Sequence, residues 1–537
     1  MSHWLIFPIL LPAIVAPLLA LAVRNDLVLA RVFSIGSMVL LVMLGMFQLG
    51  MACDGEVRTY ELGGWPSPFG IVLVLDRLSA LMLLLSAILG LFVLLYAING
   101  VDKRGAHFHS LFQFQMMGIN GAFLTGDLFN LFVFFEILLI ASYGLMIHAG
   151  GSARIRAGLQ YVVVNLVGSS LFLMALGMVY SATGTLNMAE FARKIPLIAP
   201  EHQAVLYTGT VLLFVVFGIK SALVPLQFWL PGTYANTSGT VAALFAILSK
   251  VGAYSIMRVF LLAFGESAGE MAFFIGDWLV PAAAATLILG MLGVVASRSL
   301  AQQASFAALA SMGTLFLAVG TFTVQAQTAG MYYMLHSTLA LATLFLLIDA
   351  VVVRRTGFGD ALVPAPKFKN LGLIASMFFV AAIAVLGLPP LSGFVGKLLV
   401  LEAVTSHPNW GWLWGTILGT SLLGLVGFAH SGSLVFWKSG EFKGELQPEL
   451  VNPTDIGRKG SEVDYSGNSV SAGIVLPMVA VGGLLGTLVL LTVFSGWVLR
   501  YLDATSQQLY SPDQYLSAVL ENSEVTVPDI NINAGDH

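Results

Sequence analysis

Five ionisable residues lie deep inside apolar stretches of the sequence, where they could bind and release protons. One of them, Glu136, is the sole acidic or basic group in LFNLFVFFEILLIASYGLMI, residues 128–147. An acidic or basic residue at the centre of a membrane helix costs roughly 2.5–3.5 kcal/mol, so its retention indicates a role. The other four residues are Lys220, Lys250, His336 and Lys397.

Proton transfer is the chemistry that these residue types share. Carboxylate, ammonium and imidazole groups each bind or release one proton, with an affinity that depends on burial and on neighbouring charges. A carboxylate and an ammonium about 4 Å apart interact by roughly 4 kcal/mol at an effective dielectric constant of about 20. Glu136 and Lys220 are each central in their stretches, and we expect them to pair. A row of such groups across the membrane would conduct protons. Moving the carboxylate away from its lysine would change the proton affinity of the lysine and so control this conduction.

Each of these residues also has a purely structural interpretation. Glu136 and Lys220 could form an ion pair without any role in transport. His336 is either a proton relay among the buried lysines or a hydrogen-bonded core residue. Lys250 lies about ten residues into its apolar stretch and cannot easily reach either membrane surface, which favours function.

Other charged residues near these stretches have local explanations. We expect Arg258 to extend toward the membrane interface and Arg77 to form an ion pair with its neighbour Asp76. Asp349 lies near the end of its stretch, where we expect water to solvate it. Asp127 precedes a predicted helix and should cap it.

The composition of the chain is that of an integral membrane protein. Of its 537 residues, 58% are hydrophobic and only 10% are charged, and the mean hydropathy is +0.89. Soluble globular proteins have roughly 25% charged residues. The net charge of −4 comes without a basic patch that would suggest nucleic acid, and the single cysteine, Cys53, excludes an internal disulfide and a cysteine-based metal cluster. The sequence therefore predicts an all-α, polytopic membrane protein with no cofactor or metal site.

About fourteen apolar stretches have the length of roughly 20 residues that crosses a bilayer as a helix. The first stretch contains Pro8, Pro12 and Pro17 and lacks a preceding basic region, so we expect a first span rather than a signal peptide. The predicted spans are residues 4–23, 28–50, 75–97, 108–125, 128–148, 159–180, 204–230, 240–264, 271–296, 303–324, 329–353, 371–404, 410–437 and 472–499.

Spans 7 and 12 are long and contain prolines close to a lysine. Lys220 lies five positions before Pro225, and Pro389 and Pro390 come shortly before Lys397. Proline interrupts a helix, and broken backbone at membrane depth must line a cavity or be packed in protein. The recurrence predicts two inverted repeats, as in many transporters. The predicted units are 1–107 (helices 1–3), 108–264 (first repeat, helices 4–8), 265–437 (second repeat, helices 9–13) and 438–537 (a loop, helix 14 and the C-terminal tail).

The distribution of lysine and arginine predicts the orientation. The alternate connections that begin after span 1 hold fifteen of the 24 basic residues, the opposite set holds four, and the other five lie inside spans. The richer side should be cytoplasmic. This places the loop 439–471 in the cytoplasm and both termini outside. The segment PDQYLSAVL in the tail is either a short surface helix or a frayed end.

Three segments resemble a known family: TGDLFNLFVFFEILLIASYGL, FGIKSALVPLQFWLP and LGLPPLSGFVGK. They are similar to the antiporter-like subunits shared by respiratory complex I and the Mrp-type multisubunit cation/proton antiporters, and look most similar to the D subunits of the Mrp or Pha type. The resemblance covers almost the whole chain and implies fourteen spans with outward termini. It also implies that Glu136 and Lys220 form an ion pair, that Lys250 continues the path and that Lys397 is the terminal exchange site.

Two positions depart from the pattern of this family. Many relatives have a histidine in a PLHxWLP motif, where this chain has Gln227, and many have a lysine five residues after the span-11 histidine, where this chain has Leu341. The second half of the path therefore lacks one titratable group. Water, His336 or Ser337 would have to bridge the gap.

Three functions fit these observations. The first is the proton-translocating subunit of a multisubunit Na⁺ or K⁺/H⁺ antiporter driven by the proton-motive force, in a bacterial inner membrane. The second is a proton-pumping subunit of a complex I-like or hydrogenase complex. The third is a structural membrane subunit whose polar residues fix helix register. In all three the chain is not an enzyme, carries no redox centre and works with other membrane subunits.

Overall fold

The computed structural model describes residues 3–355, 357–440 and 474–520, which form an almost entirely helical fold. Two short strands, β1 (Arg58–Glu61) and β2 (Val72–Leu75), form an antiparallel hairpin. The α-helices are α1 (Phe7–Leu21), α2 (Leu27–Ala52), α3 (Arg77–Ala97), α4 (Phe108–Leu124), α5 (Leu128–Met146), α6 (Ser152–Thr183), α7 (Met188–Lys194), α8 (Pro200–Lys220), α9 (Trp229–Asn236), α10 (Gly239–Phe245), α11 (Leu248–Ala263), α12 (Gly276–Ala296), α13 (Leu300–Val319), α14 (Val324–Arg354), α15 (Leu371–Leu386), α16 (Ser392–Ala403), α17 (Trp410–Gly432), α18 (Val475–Val493), α19 (Ser495–Tyr510) and α20 (Asp513–Leu520).

Eleven helical segments of the described chain are long and apolar enough to cross a membrane, and α1 and α15 are shorter apolar helices. Every predicted span coincides with one of the helices or with two consecutive ones. The prediction of a polytopic helical membrane protein is therefore confirmed. The exact number of fourteen spans remains a prediction, because length and composition alone identify the segments.

Two of the predicted spans are broken where the prolines lie. Span 7 consists of α8, which ends at Lys220, and α9, with Pro225 in the gap between them. Span 12 consists of α15 and α16, separated by Pro389 and Pro390. Span 8 is also divided, between α10 and α11. No proline marks this third break, and the sequence analysis did not predict it.

The long helix α14 is the centre of the bundle. It packs against α10, α13, α15, α16, α18 and α19, and nearly all of its residues are buried. Helix α11 is buried along its whole length. The outer helices α2, α6, α17 and α18 instead expose apolar side chains such as Val163 and Leu422, as expected of surfaces that face lipid or another subunit. The side chains on α11 and α14 are thus kept from bulk solvent.

Short elements cover one end of the bundle. Helix α19 packs on α3, α11 and α14, and α20 packs on α7 and β1. The segment PDQYLSAVL forms a helix, as one of the two alternatives predicted, and it buries Tyr515 and Val519. Residues 441–473, which include most of the predicted cytoplasmic loop 439–471, and the tail from residue 521 lie outside the described residues.

The expectations for Arg258 and Arg77 are wrong. Arg258 is 3% exposed and donates from its two terminal nitrogens to both carboxylate oxygens of Asp76, at 2.5 and 2.7 Å. Arg77 donates instead to the carbonyl of Cys53. A buried guanidinium needs a charged partner, and the end of α11 faces Asp76 rather than lipid.

The expectation for Asp349 is also wrong, whereas that for Asp127 is confirmed. Asp349 is buried and accepts hydrogen bonds from the Gly239 N–H at 3.0 Å and from the Tyr96 hydroxyl at 3.3 Å. It therefore joins the start of α10 to α14. Asp127 accepts from the Asn130 N–H at 2.8 Å and caps α5.

Candidate functional site

Lys220 is the last residue of α8 and lies next to the break in span 7. Its side chain is buried, and Nζ donates to the side-chain oxygen of Asn165 on α6 at 3.2 Å. Nζ also lies 5.8 Å from the centre of the Phe135 ring. Within the described chain, no carboxylate oxygen lies within 4.0 Å of this nitrogen. The ammonium group is thus held by neutral partners.

Glu136 is half-buried on α5 and accepts a hydrogen bond from the Ser169 hydroxyl of α6. Ser169 and Asn165 are four residues apart, so they share one face of α6 about 6 Å apart along its axis. The direct ion pair predicted between Glu136 and Lys220 is therefore not formed. Helix α6 instead supplies a separate polar partner to each charge, Ser169 to Glu136 and Asn165 to Lys220.

Further hydrogen bonds fix this part of α6 against α5. The Asn165 amide donates to the Tyr161 carbonyl at 2.9 Å, and the Tyr161 hydroxyl lies 2.9 Å from the Ser142 hydroxyl on α5. All three side chains are buried. The oxygen of Asn165 is consequently directed to Lys220 while its nitrogen is occupied.

The break after Lys220 brings α8 close to α11. The Trp229 indole donates to the Ile219 carbonyl at 2.9 Å and so supplies a partner at the end of α8. On α11, a Cβ at Gly252 would lie only 2.4 Å from the Ser221 hydroxyl oxygen. That hydroxyl is buried and has no hydrogen-bond partner among the described residues. The Ser221 hydroxyl therefore lies between the end of α8 and Gly252 of α11. Gly252 is two positions after Lys250 in the sequence.

Lys250 on α11 is completely buried, with 0% exposure. Its ammonium group has two neutral partners on α13, the Ser311 hydroxyl and the Met312 sulfur, each at 3.2 Å. A thioether is a weak acceptor, so the ammonium is poorly compensated. Such a group is costly to bury.

Lys397 on α16 lies beside the second break. Nζ donates to the Leu386 carbonyl at 2.7 Å and to the Ser421 hydroxyl of α17 at 2.8 Å. Leu386 ends α15, where carbonyl groups lack helical partners and a cation is favourable. Gly387 has a positive φ of 71°, and a Cβ there would lie 2.6 Å from the Lys397 side chain. Glycine, which has no Cβ, is therefore needed at position 387 to leave room for the Lys397 side chain.

His336 of α14 contacts the same break from the other side. Its Nδ1 lies 2.9 Å from the Ser392 hydroxyl, at the first residue of α16. A Cβ at Gly393 would come within 2.8 Å of His336 Nε2. The imidazole ring therefore lies at the same break as Lys397.

The sequence of this chain also matches a protein-family model. The protein-family model described as "NADH:quinone oxidoreductase/Mrp antiporter, TM" matches residues 125–424, more than half of the chain. The chain belongs to this family.

Relatives of the family match over nearly full length. The D subunit of a "Probable K(+)/H(+) antiporter" of Rhizobium meliloti is 36% identical over 97% of this chain and 98% of its own. The D subunit of a "Na(+)/H(+) antiporter" of Bacillus subtilis is 35% identical over 97% of this chain and 100% of its own. A chain of the solved Mrp complex from Dietzia sp. DQ12-45-1b superposes with a TM-score of 0.81 at 26% identity, covering 97% of this chain and 100% of that one. The resemblance predicted from the motifs is confirmed.

The two departures from the family pattern have structural counterparts. Leu341 is buried and apolar, so that position supplies no titratable group. The Ser337 hydroxyl lies 3.4 Å from the Met334 carbonyl of its own helix, which leaves His336 and Ser392 as the polar pair next to the break. The Gln227 side-chain oxygen is buried without a hydrogen-bond partner in the described part of the chain.

Several residues of this site were missed by the sequence analysis. Asn165 and Ser169 stand between Glu136 and Lys220, and hydroxyl groups on α13, α16 and α17 contact the other three residues. The spacing of four residues in YVVVNLVGSS could have indicated the pair on α6. The remaining missed residues are Ser311, Ser392 and Ser421.

Proposed function

We propose that this chain is the proton-translocating subunit of a multisubunit cation/proton antiporter that exchanges cytoplasmic Na⁺ or K⁺ for external H⁺ under the proton-motive force. One observation carries the proposal: three buried lysines, Lys220, Lys250 and Lys397, have no carboxylate oxygen within 4.0 Å in the described structure. A structural lysine of a membrane bundle would be paired. These are held by amide, hydroxyl, thioether and carbonyl groups, which leave either protonation state possible.

The lysines and His336 form the core of the proposed path. Lys220 and Lys250 are connected through the break in span 7, where the buried Ser221 hydroxyl is unpaired in the described chain. Lys250 and Lys397 are connected through His336, which the Ser392 hydroxyl orients. In this path each lysine takes up a proton from one neighbour and passes it to the next, and water fills the intervals between them.

Glu136 tunes the first lysine through α6. A negative Glu136 favours the protonated form of Lys220, and Ser169 and Asn165 transmit changes in position from one charge to the other. Glu136 and Lys220 are each held by a neutral side chain, so either contact can break without separating an ion pair. Glu136 therefore acts as a positioning and electrostatic group rather than as the carrier.

The organisation of the chain in the membrane belongs to the same proposal. Residues 108–264 and 265–437 form two inverted repeats, supported by the break near a lysine in each. The chain lies in the bacterial inner membrane with both termini outside, supported by the count of basic residues. It carries no redox centre of its own and works with the other subunits of the complex.

A proton-pumping subunit of a redox complex is the second candidate, because the family description includes NADH:quinone oxidoreductase. The relatives from Rhizobium meliloti and Bacillus subtilis are both named as subunits of antiporters. The names of these two relatives favour the antiporter subunit over the subunit of a redox complex.

The experiment is cation-induced dissipation of an acid-inside pH gradient in everted vesicles that contain the whole complex. Na⁺ and K⁺ are added separately, and subunit levels are checked by immunoblot. The wild-type chain should support dissipation with at least one cation, and Lys220→Ala should abolish it. Lys369→Ala is the matched control, since Lys369 is an exposed loop lysine. Equal loss in both variants, or none in either, would contradict the proposed path.

A further inference from the structure

One face of α11 carries three polar side chains in a row. Lys250, Tyr254 and Arg258 are four residues apart, so successive positions lie on the same face, about 6 Å apart along the helix axis. All three residues are buried. The Arg258 end of the row points to the side of the membrane that the basic-residue count predicts to be external. The row therefore leads from a lysine of the proposed path toward the outside.

Hydrogen bonds join the outer part of this row to α3. The Tyr254 hydroxyl donates to the Phe123 carbonyl at 2.6 Å and accepts from Arg258 Nε at 3.2 Å. The guanidinium then bonds to both carboxylate oxygens of Asp76. A guanidinium does not release its proton in proteins, and a fixed arginine charge is a barrier to protons. A proton that left Lys250 along this row would meet the positive charge before it reached the carboxylate.

Tyr515 of α20 covers the ion pair. It is 4% exposed, and the centre of its ring lies 5.5 Å from Arg258 Cζ. Its hydroxyl has no hydrogen-bond partner among the described residues and packs on the turn before α5, where a Cβ at Gly126 would lie 3.2 Å from it. Tyr515 therefore acts on the pair through its ring rather than through a hydrogen bond.

Helix α19 fixes the backbone next to the ion pair. The side-chain oxygen of Gln508 accepts from the Arg77 N–H at 3.2 Å, and its nitrogen donates to the Gly55 carbonyl at 2.7 Å. The Tyr501 hydroxyl donates to the Arg77 carbonyl at 2.8 Å. Helices α19 and α20 thus cover the start of α3 and the end of α11 together.

A polar groove of about 710 Å³ lies on the outer side of this cover. Arg77 and Gln514 are among the residues that line it. Their neighbours in the sequence, Asp76 and Tyr515, are buried. Water in the groove is therefore one residue away from the ion pair, and Tyr515 is part of what excludes it.

We propose that Arg258, Asp76 and Tyr515 form a seal that closes the outer end of the first repeat to protons. The inference rests on the proposed path, in which protons exchange with the outside at Lys397. If Lys250 also had access to the groove, protons could cross without an exchanged cation. The guanidinium supplies the fixed charge of the seal, Asp76 holds it in place, and Tyr515 keeps water away from both.

Proton flux in the absence of Na⁺ and K⁺ tests the seal. Proteoliposomes that contain the whole complex are prepared in choline thiocyanate, in which thiocyanate balances the charge, and a pH-sensitive dye follows the decay of a pH gradient. Tyr515→Ala removes the ring. Asp76→Asn combined with Arg258→Gln removes both charges, so neither is left unpaired. Both variants should raise the flux by about tenfold or more, as expected when an interaction with a full charge is lost.

Two tyrosine variants are the controls. Tyr515→Phe keeps the ring, so its flux should equal that of the wild-type chain. Tyr510→Ala removes another tyrosine from the same cover, but the Tyr510 ring contacts Phe273 rather than the ion pair, and its flux should not rise. Adding Lys250→Met to Tyr515→Ala should abolish the extra flux, because the leak would pass along the α11 row. Native gels check that every variant is assembled.

Unchanged flux in both Tyr515→Ala and the charge-free double variant would overturn the seal. An equal rise in Tyr510→Ala, or extra flux that persists with Lys250→Met, would overturn it as well. Cation-induced exchange in the same proteoliposomes tests the proposed function separately. A wild-type complex without exchange would refute that function, whereas normal exchange with unchanged flux in the seal variants would refute the seal alone.

Discussion

Two neighbouring serines on α6 provide a sharp test of how Glu136 acts. The Ser169 hydroxyl donates to the Glu136 carboxylate, whereas the exposed Ser170 bonds to the Leu166 carbonyl of its own helix at 3.0 Å. Ser169→Ala therefore removes a bond to a charged group, and Ser170→Ala removes none that involves a charge. Both substitutions remove one hydroxyl group, at adjacent positions of the same helix.

The expected magnitude follows from the kind of bond. A hydrogen bond to a charged group contributes about 1.5–3 kcal/mol, which corresponds to a factor of roughly 10 to 100 in an equilibrium. If Ser169 keeps Glu136 in position, Ser169→Ala should slow exchange by about that factor. Ser170→Ala should change the rate by less than about twofold, as is usual for exposed substitutions.

The assay is the initial rate of cation-induced dissipation of a pH gradient in everted vesicles with matched subunit levels. Ser169→Ala combined with Glu136→Gln should be no slower than Glu136→Gln alone, because the two groups act as one unit. Glu136→Asp, which keeps the charge, should retain some activity. Equal rates for Ser169→Ala and Ser170→Ala would refute the proposal that α6 connects Glu136 to the path.

Three further predictions concern other residues. Asp76→Asn should lower the free energy of unfolding by about 3–5 kcal/mol, because Arg258 would stay buried without its charge. Thermal unfolding of the wild-type and Asp76→Asn chains would measure this difference. Lys397→Ala should abolish exchange while the complex still assembles on native gels, and normal exchange would make the residue merely structural. Lys103→Cys in a Cys53→Ser chain should react with a membrane-impermeant thiol reagent only in everted vesicles, and labelling in intact cells would reverse the orientation.

The spans and their two proline breaks could be predicted because their signals are local. An apolar run of some 20 residues and a proline both act on the backbone where they stand. The division between α10 and α11 could not be predicted, because no proline or glycine pair marks it. The β-hairpin before α3 also lacked a signal beside the much longer apolar runs.

The partners of the charged residues were harder to predict than the residues themselves. Arg77 next to Asp76 suggested a local pair, but the guanidinium that Asp76 binds lies 182 positions away, at Arg258. Lys220 and Glu136 were expected to pair directly, but each is instead bound by a side chain of α6. Such contacts depend on how helices pack, and single polar residues in an apolar span do not reveal what they face.

Lys250 is the residue whose burial is hardest to explain without transport. It is completely buried, and the only hydrogen-bond partners of its ammonium group in the described chain are the Ser311 hydroxyl and the Met312 sulfur. Lys250→Met keeps the length of the side chain and removes the charge, so it should raise the thermal stability of the complex rather than lower it.

The rate of proton flux through proteoliposomes that contain the complex with Lys250→Met shows whether protons pass along the buried lysines. We predict that cation-coupled flux falls to the level of empty liposomes while the complex stays intact. Flux at the wild-type rate would show that protons take another route, and would contradict the proposed path.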